Sequence, residues 1–234
     1  YRINRLYFAW IGVSMYTLTI KLLSPTMLMS GQGDVNTDST IIHDRYGIPY
    51  IPAKRVRGVL YESALEVAEM MELSKLDTFT IEDVNVLFNR STENQLVEDN
   101  PKLAISNLTI ADYEAVASDI AALQSDAHLK KIFTKDRILG EYTSMRYYTS
   151  IEKNKGIALE GTLHNSRVLN RHLEFKGNIA IDDMTETERL ILSCAARNLT
   201  GIGGKRNRGF GRIECTIDDK AFDLETLGGK LWNK

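Results

Sequence analysis

Cysteine and proline are scarce in this sequence of 234 residues. Its two cysteines, Cys194 and Cys215, are too few for a disulfide scaffold and lack the spacing of metal ligands, so we expect a reduced, cytoplasmic protein. The four prolines argue against a long disordered or linker-type region. No apolar run approaches the roughly 18–20 residues that a membrane span needs. The sequence therefore predicts a soluble globular chain without a membrane partner.

An excess of positive charge is also missing. The chain has 29 Lys and Arg residues against 31 Asp and Glu residues, and its formal net charge is −2, which by itself does not indicate a nucleic-acid binder. Two short segments, 54–57 and 205–212, nevertheless hold seven cations and no acidic residue, so the other 22 cations face all 31 acidic residues. We therefore predict a concentrated basic surface on an otherwise acidic body.

Domain limits are predicted from composition and from the first methionine, Met15. Residues 1–14 are predicted to be an N-terminal extension or a fusion remnant, because their short apolar stretch lacks a convincing signal-peptide cleavage site. Residues 15–217 are predicted to form a single domain, and residues 218–234 a C-terminal tail.

Hydrophobic periodicity predicts an α+β fold. Alternating apolar residues predict strands at 16–23, 103–110, 173–181 and 210–217. Weaker alternation predicts two more, at 147–150 and 157–163. Apolar residues at helical spacing predict helices: 53–71, 81–88, 112–130 and 185–199. Asp112 is a predicted N-cap, and Thr185 with Glu188 matches a capping box. Without insertions the order is strand, helix, strand, strand, helix, strand, which is typical of a ferredoxin-like antiparallel sheet.

Residues 201–212, here called the glycine loop, combine five glycines with four cations and no acidic residue. Glycine lets a backbone approach a ligand closely, and cations with exposed N–H groups bind phosphate oxygens. The loop follows a predicted helix, so it is neither a Walker loop nor a dinucleotide fingerprint. A helix C-cap with a solvated basic turn remains an alternative. The predicted RNA-binding residues of the loop are Gly203, Gly204, Lys205, Arg206, Arg208 and Arg212.

A second basic group, Lys54, Arg55 and Arg57, lies in the first turns of the first predicted helix, just after Pro52. Cations at a helix N-terminus oppose the helix dipole, so folding alone does not explain them. A bound phosphate would explain them, because it would use free N–H groups and side chains together. Long basic side chains that simply extend over the surface are the alternative.

Carboxylates gather between the first predicted strand and helix, where Asp34 and Asp38 precede His43 and Asp44. Loop carboxylates can hold Mg²⁺ together with substrate phosphate. Aspartates in loops are more often turn-formers, so that interpretation stays open. His43 is a candidate general base.

Three motifs together resemble the RAMP superfamily of CRISPR-associated proteins, and most closely the crRNA-binding backbone subunits of type III effector complexes, with type III-D as one option. The motifs are the glycine loop, the stretch GIPYIPAKRVRGVL at 47–60, and Thr-Ser-Ile-Glu at 149–152 followed by Gly156 and Ala158. The Ile-Pro-x-x-x-x-(Lys/Arg)-Gly-x-(Leu/Met) element in the second motif is more discriminating than the glycine loop. The resemblance covers about residues 15–217.

The resemblance implies a ferredoxin-like (RRM-like) palm and a thumb hairpin at about 132–154. A helical insertion predicted at about 72–102 is long and acidic for a backbone subunit and departs from the family pattern. The resemblance places Arg57 on the crRNA backbone and makes Asp38 the catalytic and metal-binding residue for target-RNA cleavage, with Asp34 as the fallback. Its implied partners are crRNA, target RNA and other effector subunits, and its implied cofactor is a divalent metal ion, Mg²⁺. No small-molecule cofactor is implied.

Other functions remain open at this point. The chain could be a non-catalytic guide-capping or structural subunit, or a metal-independent crRNA-processing endonuclease with His43 as its base. Outside nucleic acids, it could be a ferredoxin-like protein that binds a phosphorylated metabolite.

Overall fold

The structure is a computed structural model that describes residues 13–29, 40–76, 78–90, 102–149, 164–218 and 222. Asp34, Asp38 and the strand predicted at 157–163 lie outside the described residues. So do most of the predicted N-terminal extension and C-terminal tail and part of the predicted insertion and thumb.

Eight strands and five helices follow one another in the described chain. The strands are β1 (Val13–Leu22), β2 (Tyr50–Ile51), β3 (Leu103–Ile105), β4 (Leu108–Ile110), β5 (Thr143–Tyr148), β6 (His164–Leu169), β7 (Glu174–Asp182) and β8 (Ile213–Ile217). The helices are α1 (Ala53–Leu73), α2 (Ile81–Leu87), α3 (Tyr113–Ser125), α4 (Lys135–Tyr142) and α5 (Glu186–Asn198). Two 3₁₀ turns, Leu129–Lys131 and Arg206–Arg208, complete the set.

The main sheet is antiparallel, with strand order β2-β4-β7-β1-β8 and β3 also paired to β7. The fold is therefore a mixed helix and antiparallel-sheet fold, as predicted. The strand predicted at 103–110 is interrupted at Ser106 and Asn107. The Ser106 hydroxyl accepts a hydrogen bond from the backbone N–H of Asn178 (2.8 Å). At the same point Gly177 of β7 leaves room for the Leu108 side chain, which a Cβ there would approach to 2.8 Å.

The two faces of the sheet differ because side chains alternate along each strand. Leu18, Ile20 and Leu22 of β1 and Phe175 of β7 are buried on the face that forms the core. Helices α1 and α5 add apolar residues to this core and are joined by a hydrogen bond from the Ser63 hydroxyl to the Ala195 carbonyl (2.8 Å). The opposite face carries exposed, charged residues, among them Lys21, Lys176 and Glu214. One face of the sheet thus packs into the hydrophobic core, and the other is exposed to solvent.

The helix ends predicted from local signals match the structure at α5 but only partly at α3. Thr185 and Glu188 form the predicted capping box, and the Glu188 carboxylate also pairs with Lys102 (2.7 Å). Asp112 occupies the predicted N-cap position of α3, but its backbone is left-handed (φ 57°) and its side chain makes no cap hydrogen bond. Helix α3 ends at Ser125 because the next residue, Asp126, accepts hydrogen bonds from two backbone N–H groups and begins a new turn.

A separate two-stranded hairpin, β5–β6, lies in the region of the weaker strand predictions. Its first strand begins earlier than the predicted 147–150, directly after α4, which periodicity did not reveal. Among the described residues, no helix is both long and apolar enough to cross a membrane.

Candidate functional site

Residues 26–29, here called the junction segment, contact three other parts of the fold. Thr26 exchanges two backbone hydrogen bonds with Leu169 of β6 (3.0 and 2.9 Å). The Met27 carbonyl accepts a hydrogen bond from the N–H of Gly204 (3.0 Å). Met29 pairs with Ile41. The hairpin, the glycine loop and the chain at Ile41 therefore meet at the junction segment.

Two glycines fix the glycine loop to this segment. Gly203 has φ +86°, and a Cβ there would lie 2.5 Å from the Met27 carbonyl oxygen. Gly211 has φ +74°, and its Cβ would clash with the Ile202 carbonyl oxygen. Both positions therefore need glycine for the fold itself. Helix α5 is capped by Leu199 in extended conformation, so the loop glycines do not act as its C-cap.

The cations of the glycine loop are placed at the surface. Arg206, Arg208 and Arg212 are exposed. Lys205 is half-buried, and its ammonium lies 3.4 Å from the centre of the Tyr148 ring on β5. Within the described part of the chain, none of these cations forms a salt bridge with a carboxylate. The loop thus presents positive charge that no carboxylate of the described residues pairs with directly.

The side chains of the second basic group make different contacts. Lys54 is exposed, and Arg55 donates from Nη2 to the Met29 carbonyl (3.1 Å), next to the glycine loop. Arg57 instead donates to the carbonyls of Leu103 and Phe88, both at 2.6 Å. Burial, and then the nearby charge of Arg90, lowers the pKa of Arg57. Arg57 therefore joins α1 to α2 and β3, and we do not include it in the interface proposed below.

The N–H groups at the start of α1 are mostly engaged. The Ala53 N–H donates to the Asn107 side chain (2.8 Å), and the N–H groups of Arg55 and Val56 donate to the Pro52 carbonyl (2.9 and 3.1 Å). A phosphate at this helix end would thus depend on the side chains of Lys54 and Arg55 more than on backbone donors.

The β5–β6 hairpin adds aromatic side chains that sequence reasoning missed. Tyr147 is 66% exposed and follows the exposed Arg146. Tyr148 lies against Lys205, bonds with the Ser166 hydroxyl and packs 6.2 Å from the His164 ring. The signal in the sequence was the interleaving of a cation with two aromatics, which is typical of single-strand nucleic-acid surfaces.

Asp44 is a turn-forming residue, the alternative that the sequence left open. Its Oδ1 accepts the N–H groups of Tyr46 and Ile48 (2.8 and 2.9 Å), and its Oδ2 accepts the Tyr113 hydroxyl (2.7 Å). Burial and then this hydrogen bond raise the pKa of Tyr113. The His43 ring donates from Nδ1 to the Asp44 carbonyl (2.8 Å), which leaves Nε2 as the nitrogen that could accept a proton.

The described residues contain no cluster of three or more His, Cys, Asp or Glu side chains that could hold a metal ion. Both oxygens of Asp44 are already engaged, so the prediction of a metal site rests on Asp38, outside the described residues. Neither cysteine is activated: burial raises the pKa of Cys194 and raises that of Cys215 to about 12.

The fold and the site define a class of protein: an antiparallel α+β domain with a basic glycine loop fixed beside its first strand and helix. A sequence model of the RAMP superfamily matches residues 19–214. The chain belongs to the RAMP superfamily, as its motifs indicated. Comparison with curated protein sequences finds no match.

Two solved structures share this fold. One is a chain of the type III-B Cmr-beta complex bound to cognate target RNA, with 13% identity and a TM-score of 0.63 over 87% of this chain and 97% of that one. The other is from the apo state of Cmr-beta, also at 13% identity, with a TM-score of 0.57 over 88% of this chain and 98% of that one. At this level of identity the likeness shows the fold alone.

Proposed function

We propose that this chain is an RNA-binding subunit of a type III CRISPR effector complex and holds the guide RNA backbone. The observation that carries the proposal is the convergence on the junction segment of Arg55, the basic glycine loop and the aromatic hairpin. Membership of the RAMP superfamily and the likeness to a complex bound to target RNA support it. Other effector subunits are its proposed partners.

The finer architecture belongs to this proposal. We interpret the main sheet with α1 and α5 as the ferredoxin-like palm, because four of its strands lie in the order β4-β7-β1-β8. We interpret the β5–β6 hairpin as the base of the thumb, since β5 lies within the predicted 132–154 region, whereas β6 extends the hairpin beyond it.

Salt-dependent RNA binding tests the proposal. The full chain is titrated into labelled single-stranded RNA at several salt concentrations, followed by fluorescence anisotropy. The slope of log K against log salt should be steep, and it should decrease by about 0.7 for each phosphate that a variant no longer neutralises. The double variant Arg206→Ala/Arg208→Ala should therefore weaken binding and flatten the slope.

The matched control is Lys21→Ala/Lys176→Ala, which removes two cations from the opposite face of the sheet. Equal losses in the two double variants would contradict the proposed surface. If the wild-type chain binds RNA without salt dependence, or not at all, a phosphorylated metabolite becomes the better ligand hypothesis.

Metal-dependent cleavage of target RNA at Asp38 is a second proposed activity. It is favoured by the pairing of Met29 with Ile41, because both residues border the segment that contains Asp38 and Met29 lies beside Gly204 and Arg55. The target 2′-hydroxyl would attack the adjacent phosphorus and expel the 5′-oxygen of the next nucleotide, leaving a 2′,3′-cyclic phosphate and a 5′-hydroxyl, and Mg²⁺ would stabilise the developing charge.

The assembled complex with Asp38→Ala should lose Mg²⁺-dependent cleavage of complementary RNA while it still binds that RNA. Asp34→Ala tests the fallback residue, because it removes the other carboxylate of the same segment, and loss of cleavage in this variant alone would move the catalytic role to Asp34. Wild-type cleavage by the Asp38 variant would favour a structural or guide-capping subunit. Loss of precursor processing in His43→Ala, without any metal requirement, would instead favour a processing endonuclease.

A further inference from the structure

A shallow cleft of about 320 Å³ opens on the outer side of the glycine loop. Its lining residues are Thr200, Gly201, Arg206, Phe210, Gly211 and Arg212. Gly201 and Gly211 contribute no side chains to the cleft. Two guanidinium groups and one aromatic ring thus share a single small surface.

The positions of the two arginines are set by the fold. The aliphatic part of Arg206 lies over Gly201, with its Cδ 3.2 Å from where a Cβ of that glycine would be. The backbone of Arg212 is held by the hydroxyl of Ser24, which accepts its N–H (2.9 Å), and its side chain remains exposed. Each arginine is therefore held at its base, and neither forms a salt bridge within the described residues.

Phe210 is placed unusually for a large apolar side chain. It is half-buried, yet it is neither part of the hydrophobic core nor packed against it. Among the described residues it makes no contact with another aromatic ring or with a cation over its face. Part of this ring lines the cleft together with the two arginines.

A neighbouring cleft of about 130 Å³ shares Arg206 and Gly201 but is also lined by Glu62 and Glu66 of α1. Two carboxylates repel phosphate, so an anionic ligand would be restricted to the side of Phe210 and Arg212. An aromatic face beside guanidinium groups matches one nucleotide, with a base for the ring and phosphates for the cations.

We propose that the cleft at Phe210 is a subsite for one unpaired nucleotide of bound RNA. The base stacks on the Phe210 ring, and its flanking phosphates contact Arg206 and Arg212. This inference rests on the proposed RNA-binding function and adds to it a contact with a base, which the backbone-binding role does not require.

The test separates base contact from phosphate contact. The full-length chain is titrated by anisotropy with an oligouridylate and with an abasic ribose-phosphate strand of equal length. Phe210→Ala should weaken oligouridylate binding by about 5- to 140-fold, which corresponds to the loss of one aromatic–base stack. The same variant should bind the abasic strand as the wild type does, with an unchanged salt slope.

Phe210→Leu and Phe210→Trp complete the design. Leucine keeps an apolar side chain without a ring, so it should lose oligouridylate affinity while keeping the wild-type melting temperature. Tryptophan keeps a ring and should retain affinity. If Phe210→Ala fails to fold, the comparison of Phe210→Leu with the wild type carries the test.

Equal weakening on both strands, or full affinity in Phe210→Leu, would overturn the nucleotide subsite while leaving the RNA-binding function intact. An arginine variant, Arg206→Ala, should in contrast weaken both strands and flatten the salt slope. If the wild-type chain binds neither strand, the proposed function and the subsite both fail.

Discussion

At the scale of single residues, helix geometry explains why neighbouring cations serve different purposes. Arg55 and Arg57 are two positions apart, which is about 200° around an α-helix. They therefore point to nearly opposite sides, one to Met29 and the other to Phe88 and Leu103. The separation could have been predicted from the sequence. The acceptors of Arg57 could not, because their carbonyls come from segments 31 and 46 residues away.

Arg57→Ala is expected to lower the free energy of unfolding by about 1–3 kcal/mol, since two carbonyls would lose a charged donor. Urea unfolding measures this loss. Arg55→Ala, which removes one bond at an exposed site, should cost less stability but more RNA affinity. A variant of Arg57 that is stable yet defective in RNA binding would show that this side chain does contact the guide.

Gly203→Ala is expected to destabilise the fold. The φ of +86° and the Met27 carbonyl 2.5 Å from the new methyl group both oppose a side chain, at a cost of about 1–3 kcal/mol. Thermal unfolding should show a lower Tm. Gly204→Ala is the matched control, because its Cβ would meet nothing closer than a flexible methionine at 3.4 Å. Equal Tm values for the two variants would contradict this account of the loop.

At the scale of elements, long and regular patterns were predicted well and short or interrupted ones were not. The sequence predicted α1 at 53–71, and the helix is Ala53–Leu73. It also predicted α5 with its capping box and the long strands β1 and β7. The two-residue strand β2 and the break between β3 and β4 depend on hydrogen bonds from distant residues, which a local pattern does not contain.

The N-terminus of α5 should make stability depend on pH. Burial raises the pKa of Glu188, but hydrogen bonds from Lys102 and Thr185 outweigh it, and the pKa of the folded state is lowered. The stability contributed by this carboxylate is thus present above the usual carboxyl pKa of about 4.3 and is lost as the pH falls through the lowered value. Glu188→Gln should flatten the acid side of the stability curve. An unchanged acid limb in this variant would argue against that role.

At the scale of the whole molecule, the position of the charges matters more for RNA binding than the net charge. The net charge of −2 averages a basic surface near the junction segment with an acidic remainder. On the opposite face of the sheet, Lys176 pairs with Glu174 (2.9 Å), and Lys21 lies between Glu174 and Glu214 in the strand register. The sequence predicted this concentration of charge, but the meeting of the glycine loop, Arg55 and the hairpin depends on tertiary contacts of residues 26–29.

Charge-matched reversals separate local placement from total charge. Arg206→Glu/Arg208→Glu and Lys21→Glu/Lys176→Glu each make the net charge more negative by the same four units. If long-range repulsion decided RNA binding, the two double variants would bind equally weakly at low salt. We expect the loop variant to lose nearly all affinity and the sheet variant to lose little near 0.15 M salt, because charges beyond a Debye length of about 8 Å are screened. Anisotropy titrations of both variants at two salt concentrations measure the difference in affinity. Equal losses that persist at the higher salt concentration would show that the basic surface extends to the opposite face of the sheet.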